Sequence, residues 1–393
     1  MDDLTYDATI VGSGPAGTSA AIQLARQGLK VCIVEKHHLP RYKVCGGGVT
    51  ARAANLLPVP LDSVIEETCY RFELHFHGRK QGIIIQRDKP IIFMVMRADM
   101  DSLLLAEAKK LGVEVFENTE AKDVAQEKQG VTLLTDRALL RSNFLIAADG
   151  VSSTVAHKGG WPVNKATIPA LESEVVVDPA TLEQFRGAAR FDLDHPCGGY
   201  SWVFPKKKHL SVGVLSMAPN ASGLRKSLYS YLEMLNIQSI GPLKLDGALI
   251  PLKPRPGLLA RGRILLVGDA AGLAEPISAE GISNALLSGL LAARALTEGN
   301  MDPDKAAFIY QRDMDISILR ELGTAELHAR MLYRHRHIRN LMFRLMGEKF
   351  CEYLVDITAG ERSFANLGSP LHMLVKMGRW IGQGNCLKPT ANT

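Results

Sequence analysis

The stretch "VGSGPAG", residues 11–17, constrains this chain more than any other. It follows an apolar run, Ala8 to Val11, and opens the alanine-rich "AGTSAAIQLARQG", after which "KVCIVE" reads as a second strand. Strand, glycine turn, helix and strand make a βαβ unit. Gly12, Gly14 and Gly17 stand at G-x-G-x-x-G spacing. Gly12 permits a tight turn, Gly14 lets a pyrophosphate approach the backbone, and Gly17 lets helix and strand pack closely. Pro15 and Ala16 complete the turn, and the helix N-terminus favours the anion. Glu35 ends the second strand 18 residues beyond Gly17, placed to accept a ribose hydroxyl. An acid there disfavours a 2'-phosphate, and so NADP, in this site.

The 393 residues allow two domains or one large mixed domain, and 46% hydrophobic residues suffice for a sizeable core. A net charge of +5, from 46 basic and 41 acidic residues, argues against a dedicated nucleic-acid binder. The six cysteines form no C-x-x-C pair, so neither a metal site nor a disulfide framework is expected, and a reducing, cytoplasmic setting fits. The opening "MDDLTYDATIVG" lacks a secretion pattern, and no apolar run reaches the 18 residues of a membrane span. Attachment to a membrane surface stays open.

Further along, "RFELHFHG" and "PIIFMVM" read as antiparallel strands, and "ADMDSLLLAEAKKLG" as a helix with Asp99 as cap and Gly112 as stop. "VEVFEN", "VTLLTD" and "FLIAADG" suggest a return to the first sheet. From about residue 165 to 250, spaced strands with glycine and proline turns suggest an inserted, mostly antiparallel unit. "RILLV" is an apolar strand, "GISNALLSGLLAARALTEG" a long helix, and the remainder mainly helical. The expected fold is α/β, α+β overall. A Rossmann-like domain takes residues 1–70, 97–165 and 255–300, a β-sheet substrate domain 71–96 and 166–254, and a helical region 301–393.

Three stretches bear on which dinucleotide is bound. "FLIAADGVSS" carries Asp149 and Gly150; "RILLVGDAAGLAEPISAEGISNA" carries Gly268, Asp269, Gly281 and Ile282; "VMRADMDSLL" carries Arg97. An acid at a strand end, followed by small residues at a helix start, suits a ribitol and its phosphate. Together these stretches resemble the FAD-dependent oxidoreductases of the hydroxylase-type fold. The resemblance implies Asp269 on the ribitol, Arg97 near the flavin chain and Asp149 near the cofactor.

"PRYKVCGGGV", residues 40–49, places Cys45 beside three glycines. It resembles the corresponding stretch of the geranylgeranyl reductase family, where a cysteine precedes glycines beside the flavin. "YSWVFPKKKHLSVGV" is similar to that family's Y-x-W-x-F-P motif through Tyr200, Trp202, Phe204 and Pro205, followed by Gly213. Two positions depart from the family pattern: Leu215 and Ala279 stand where glycines are usual. Tyr200, Trp202 and Phe204 alternate along a strand and share one face, able to line a tunnel for a polyprenyl chain. The resemblance implies Cys45 as a functional flavin-side thiol, with Gly46 and Gly47 permitting close approach to the flavin. Arg41 and Lys43 are read as tuning that thiol, as meeting an anionic substrate or as solvated surface charges, with Arg41 also counted among the cofactor-binding residues.

The function so implied is an FAD-dependent reductase saturating double bonds of a polyprenyl group, with electrons from NAD(P)H or reduced ferredoxin. Two alternatives stay open: a flavin monooxygenase or halogenase, and a non-catalytic flavin-containing lipid-binding protein. In "ELHARMLYRHRHIRNLMFRLMGEKF", Leu327, Met331, Ile338, Leu341, Met342 and Leu345 fall near helical spacing among arginines. This reads as one amphipathic helix, either covering the core or lying on an anionic bilayer.

Overall fold

A computed structural model describes residues 4–76, 82–219 and 221–367. β1 (Leu4–Val11), α1 (Pro15–Arg26) and β2 (Val31–Val34) form the βαβ unit read from the glycine motif. β2 is buried throughout, as suits a strand inside a parallel sheet. β3 (Gly48–Thr50), α2 (Ala51–Ala54), β4 (Ile65–Cys69), β5 (Arg71–Phe76), β6 (Ile83–Gln86) and β7 (Ile92–Val95) follow. The sequence groups β7 with β5 and β6, but the pairings divide them. β7 pairs antiparallel with β3 and β4 in a three-stranded sheet. Ile92, Met94 and Val95 are buried there, so β7 is enclosed by partners of its own.

α3 (Arg97–Lys110) begins at Arg97 with Met96 as N-cap. Asp99 therefore sits inside the first turn, where its charge suits the helix dipole, and is not the cap expected from the sequence. Gly112, at φ +85°, closes the turn after the helix. β8 (Glu114–Phe116), β9 (Ala121–Gln126), β10 (Val131–Thr135), β11 (Leu139–Ala147) and α4 (Thr154–Lys158) come next. β11, β1, β2 and β8 run parallel, and β10 folds back antiparallel on β11.

The second large sheet uses β12 (Thr167–Val176), β13 (Ala188–Leu193), β14 (Gly199–Pro205), β15 (His209–Ser216) and β16 (Asp246–Pro251), with α5 (Pro179–Phe185) and α6 (Leu224–Met234) between strands. Its order is β16-β12-β15-β14-β13-β5-β6, antiparallel except where β13 lies parallel to β5. Every residue of β14 is buried, because the sheet divides two apolar clusters. Val203 joins Val212, Val214 and the Leu228 and Tyr231 side chains of α6. Tyr200, Trp202 and Phe204 join the other cluster, which is closed by the C-terminal helices.

β17 (Ala260–Arg261) and β18 (Ile264–Leu266) extend the first sheet, with β18 parallel to β11. α7 (Gly268–Ala271), α8 (Ile282–Glu298), α9 (Pro303–Met314), α10 (Arg320–Arg334) and α11 (Arg336–Ala359) complete the described chain. The basic segment is not one helix: His335, at φ −110° and ψ 69°, separates α10 from α11, and Met346, at φ −140° and ψ 18°, kinks α11 itself. Its apolar residues also divide. Met331 and Met342 are buried, whereas Leu327, Ile338 and Leu341 are exposed. Arg339 is 2% exposed and pairs with Asp194 through both Nη atoms, donating as well to Leu332 O. A buried cation thus fastens α11 to the β13–β14 connection. Among the described residues no helix is long and apolar enough to cross a membrane. Cys386 and the last part of the expected helical region, residues 368–393, lie outside the described residues.

Candidate active site

A single cavity of about 570 Å³ runs from the first glycine turn, past the face of the antiparallel sheet, to the C-terminal helices. At Gly12, with φ +103°, a Cβ would stand 2.3 Å from Ala148 O, and at Gly17 one would stand 2.0 Å from Gly12 O. Those two glycines answer to the protein's own packing. At Gly14 a Cβ would meet nothing within 4 Å, so this position leaves open space. α1 starts there with no side-chain cap and no acid in its first turn, a setting that favours an anion. Pro15 and Ala16 line the same end of the cavity.

Glu35 accepts the Ser13 amide at 3.0 Å, the Ser13 hydroxyl at 2.6 Å and the His37 amide at 3.1 Å. Burial opposes its charge, but the Ser13 bonds, nearby Arg41 and the His37 amide prevail and lower its pKa. Arg41 Nε lies 3.6 Å from Glu35, and its Nη1 3.3 Å from Asp101 Oδ2 without hydrogen-bond geometry. At 15% side-chain exposure Arg41 lines the cavity and is not a fully solvated surface charge. Arg97 binds the same Asp101 bidentately, both bonds at 3.0 Å, and lines the cavity.

Asp149, just past β11, accepts the Val155 amide through Oδ2 at 3.1 Å, while its buried Oδ1 has no hydrogen-bond partner. Gly150 turns beside it at φ +82°. Asp269 opens α7, and burial raises its pKa against the pull of Lys43 and Arg97. A Cβ at Gly281 would lie 3.5 Å from Asp269 Oδ1, and one at Gly268 only 3.0 Å from Ala16 Cβ. Gly268, Gly281 and Ile282 all line the cavity. Open space at Gly14, an uncapped helix start and an unpartnered carboxylate oxygen fit a dinucleotide with a ribitol chain.

The second glycine turn is differently built. Cys45 lines the cavity; its Sγ accepts the Gly47 amide at 3.4 Å, and its own amide donates to Glu172 Oε1 at 2.6 Å. A Cβ at Gly46 would stand 2.8 Å from Trp202 Nε1. At Gly47, φ +69°, one would stand 2.0 Å from Val95 O and 2.6 Å from Lys206 Nζ. The protein's own atoms therefore demand these glycines, which revises the sequence argument that they are there for the flavin. Lys206 is fully buried and donates to Gly46 O at 2.8 Å and Val95 O at 2.9 Å. Sequence reasoning passed over it as one of three lysines.

The sheet supplies the apolar wall. Phe191, Trp202, Gly213 and Glu172 stand in register across β13, β14, β15 and β12. Gly213 seats the indole, since a Cβ there would come within 2.0 Å of Trp202 Cζ2. Ring centroids lie 6.1 Å apart for Tyr200 and Trp202 and 6.3 Å for Trp202 and Phe204. These three rings line the cavity, but Gly17, Pro205 and Gly213 do not and act through packing. Leu215, opposite Tyr200, projects into the cavity where the family pattern has a glycine. Ala279, the other departure, holds φ +58°, a geometry that favours glycine. Tyr200 donates to Ser278 O and Tyr333 to Ile277 O, tying this loop to the sheet and to α10. Leu332, Phe343 and Phe350 form the far wall.

Residues 5–208 match the FAD binding domain family. The chain is 29% identical to the geranylgeranyl diphosphate reductase of Rhodobacter capsulatus, over 74% of this chain and 75% of that protein. It is 28% identical to the digeranylgeranylglycerophospholipid reductase of Thermoplasma volcanium, over 90% of this chain and 92% of that one. Among solved structures, a geranylgeranyl bacteriochlorophyll reductase-like protein from Thermoplasma acidophilum superposes with a TM-score of 0.74 at 25% identity, covering 95% of this chain and 96% of that one. A flavin-dependent brominase shares the fold alone, at 18% identity and a TM-score of 0.71 over 97% of this chain and 99% of its own. With the glycine turns, the buried acids Asp149 and Asp269 and the aromatic strand on one cavity, the chain belongs to the geranylgeranyl reductase family of FAD-dependent oxidoreductases.

Proposed function

We propose that this protein saturates carbon–carbon double bonds of a geranylgeranyl or related polyprenyl group carried by a diphosphate or a lipid. The observation that carries this reading is the continuity of the cavity, polar at the first glycine turn and walled by apolar rings beyond Cys45. Bound, reduced FAD supplies the hydride for one alkene carbon. Gly14 and the start of α1 receive the diphosphate, Glu35 and Asp149 accept hydroxyls, and Asp269 takes the ribitol. Phe191, Trp202 and Phe204 pack on the isoprene units and exclude water, and Leu215 narrows the passage. The Cys45 thiol faces the reacting region from its glycine turn.

The electrons come from NAD(P)H or reduced ferredoxin. The exposed Ile338 and Leu341, with Arg334 and Arg344 exposed nearby, support contact with an anionic bilayer at the inner face of the membrane. Anaerobic incubation of dithionite-reduced holoprotein with geranylgeranyl diphosphate, and separately with a geranylgeranylated glycerophospholipid, tests the reading. Flavin reoxidation with product mass rising in steps of two hydrogens is expected. Product that gains oxygen, and only after air is admitted, would replace it with a monooxygenase.

A further inference from the structure

Hydride addition leaves the second alkene carbon needing a proton, and a cavity that excludes water must keep that proton on a side chain. Glu172 meets this requirement geometrically. It lies on β12 in register with Gly213, which is itself in register with Trp202, so the bare glycine carries the indole between the two. The residue is 1% exposed to solvent yet lines the cavity. Its Oε1 accepts the Cys45 amide at 2.6 Å and the Tyr42 hydroxyl at 3.1 Å, which leaves Oε2 to carry an acidic proton. Tyr42, whose hydroxyl reaches this carboxyl, is itself 42% exposed to solvent.

The surroundings let that carboxyl hold a proton up to about neutrality. Burial and the neighbouring Glu174 raise its pKa to about 7, against the Cys45 amide, the Tyr42 hydroxyl and Lys206. Glu174 is on β12 itself and pairs with His209 of β15, Asp246 faces it across the register from β16, and Lys206 follows β14. Lys244 lies over the Tyr42 ring at 5.0 Å.

We propose that Glu172 is the proton donor for the second alkene carbon and is refilled from solvent through the Tyr42 hydroxyl. The proposal rests on the reductase reading above. The alkene π bond breaks, one new C–H bond takes the hydride and its two electrons from reduced flavin, and the other takes the Glu172 proton. The alkene is reduced, the flavin oxidised, and the carboxylate regains its proton from water by way of Tyr42.

The test uses reduced holoprotein mixed anaerobically with geranylgeranyl diphosphate. E172Q, which preserves shape and acceptor, should slow alkene-driven flavin reoxidation about 100-fold while leaving reoxidation by oxygen unchanged. Y42F should match wild type in a single turnover and fall behind over many turnovers. Infrared difference spectra of the oxidised holoprotein should show a carboxylic-acid carbonyl band titrating near pH 7 and absent from E172Q. Wild-type turnover with unimpaired E172Q overturns the donor role alone. A wild-type protein that never reduces the alkene overturns the reductase reading, and the donor role with it. If E172Q fails to fold, the Y42F split decides the matter, since burial raises the Glu275 carboxyl to about 7 as well and the wild-type titration alone reports both.

Discussion

The cavity is bounded by two glycine turns, each anchored by a buried carboxyl, and they differ in both respects. In the first, Gly12 and Gly17 are pinned by backbone contacts while Gly14 faces open space. In the second, the place of a side chain at Gly46 and Gly47 is already taken by Trp202, Phe204, Val95 and Lys206. The carboxyl beneath the first turn, Glu35, is held as an anion by Ser13, whereas Glu172 beneath the second is pushed up to about 7 by burial and Glu174. Consecutive glycines are thus no measure of closeness to a ligand. One turn leaves space open toward the cavity, and the other is packed shut over a carboxyl that burial keeps from ionising early.

Substitutions can break this contrast, beginning with the most damaging. Gly47→Ala puts a side chain 2.0 Å from Val95 O at φ +69°, and a loss of about 3 kcal/mol or more in chemical denaturation is expected. The carboxyls should act in opposite pH ranges. Glu172, raised from 4.5 to about 7, contributes stability that is complete below 4.5 and lost as pH rises through about 7. E172Q should therefore flatten a decline of about 3 kcal/mol across that window. Glu35, lowered from 4.5, contributes above that value and loses its contribution as pH falls through its depressed pKa. E35Q should remove that loss on the acid side and weaken the fold at neutral pH.

Gly213→Ala collides with the indole 2.0 Å away and should cost about 2 kcal/mol, with a shift in tryptophan emission and slower alkene reduction. Gly14→Ala is the mildest. Apoprotein melting should not move, while FAD affinity falls roughly tenfold, worth about 1.4 kcal/mol. If Gly14→Ala instead unfolded the protein, or Gly47→Ala were tolerated, the contrast between the turns would be wrong.

Much of the first turn was legible because its pattern is local: G-x-G-x-x-G, the flanking strands and Glu35 lie within one βαβ unit. The aromatic strand was legible for the same reason, since alternation puts Tyr200, Trp202 and Phe204 on one face. What escaped was long-range. Glu172 sits in "LESEVVV" with nothing to mark it, yet meets Cys45 across 127 positions of sequence. Lys206 in "PKKKH" looks like its two neighbours, and only the Gly46 and Val95 carbonyls distinguish it. Arg339 read as one basic residue among several until Asp194 claimed it. Nor does the break at His335 carry a proline or glycine to announce it. Burial overrode the local chemistry in each case.

The Arg339–Asp194 clamp has one further consequence. The far wall of the cavity hangs on α10 and α11, which hold none of the glycine turns and neither Asp149 nor Asp269, and it is fastened to the antiparallel sheet by two charged joints, Arg339–Asp194 and Arg87–Asp356, and by packing such as Phe343 on Phe76. A lineage could therefore lengthen or shorten the pocket by exchanging Phe343 or Phe350 while inheriting the redox end intact. Substrate reach and electron chemistry would then evolve as separable traits of one gene product.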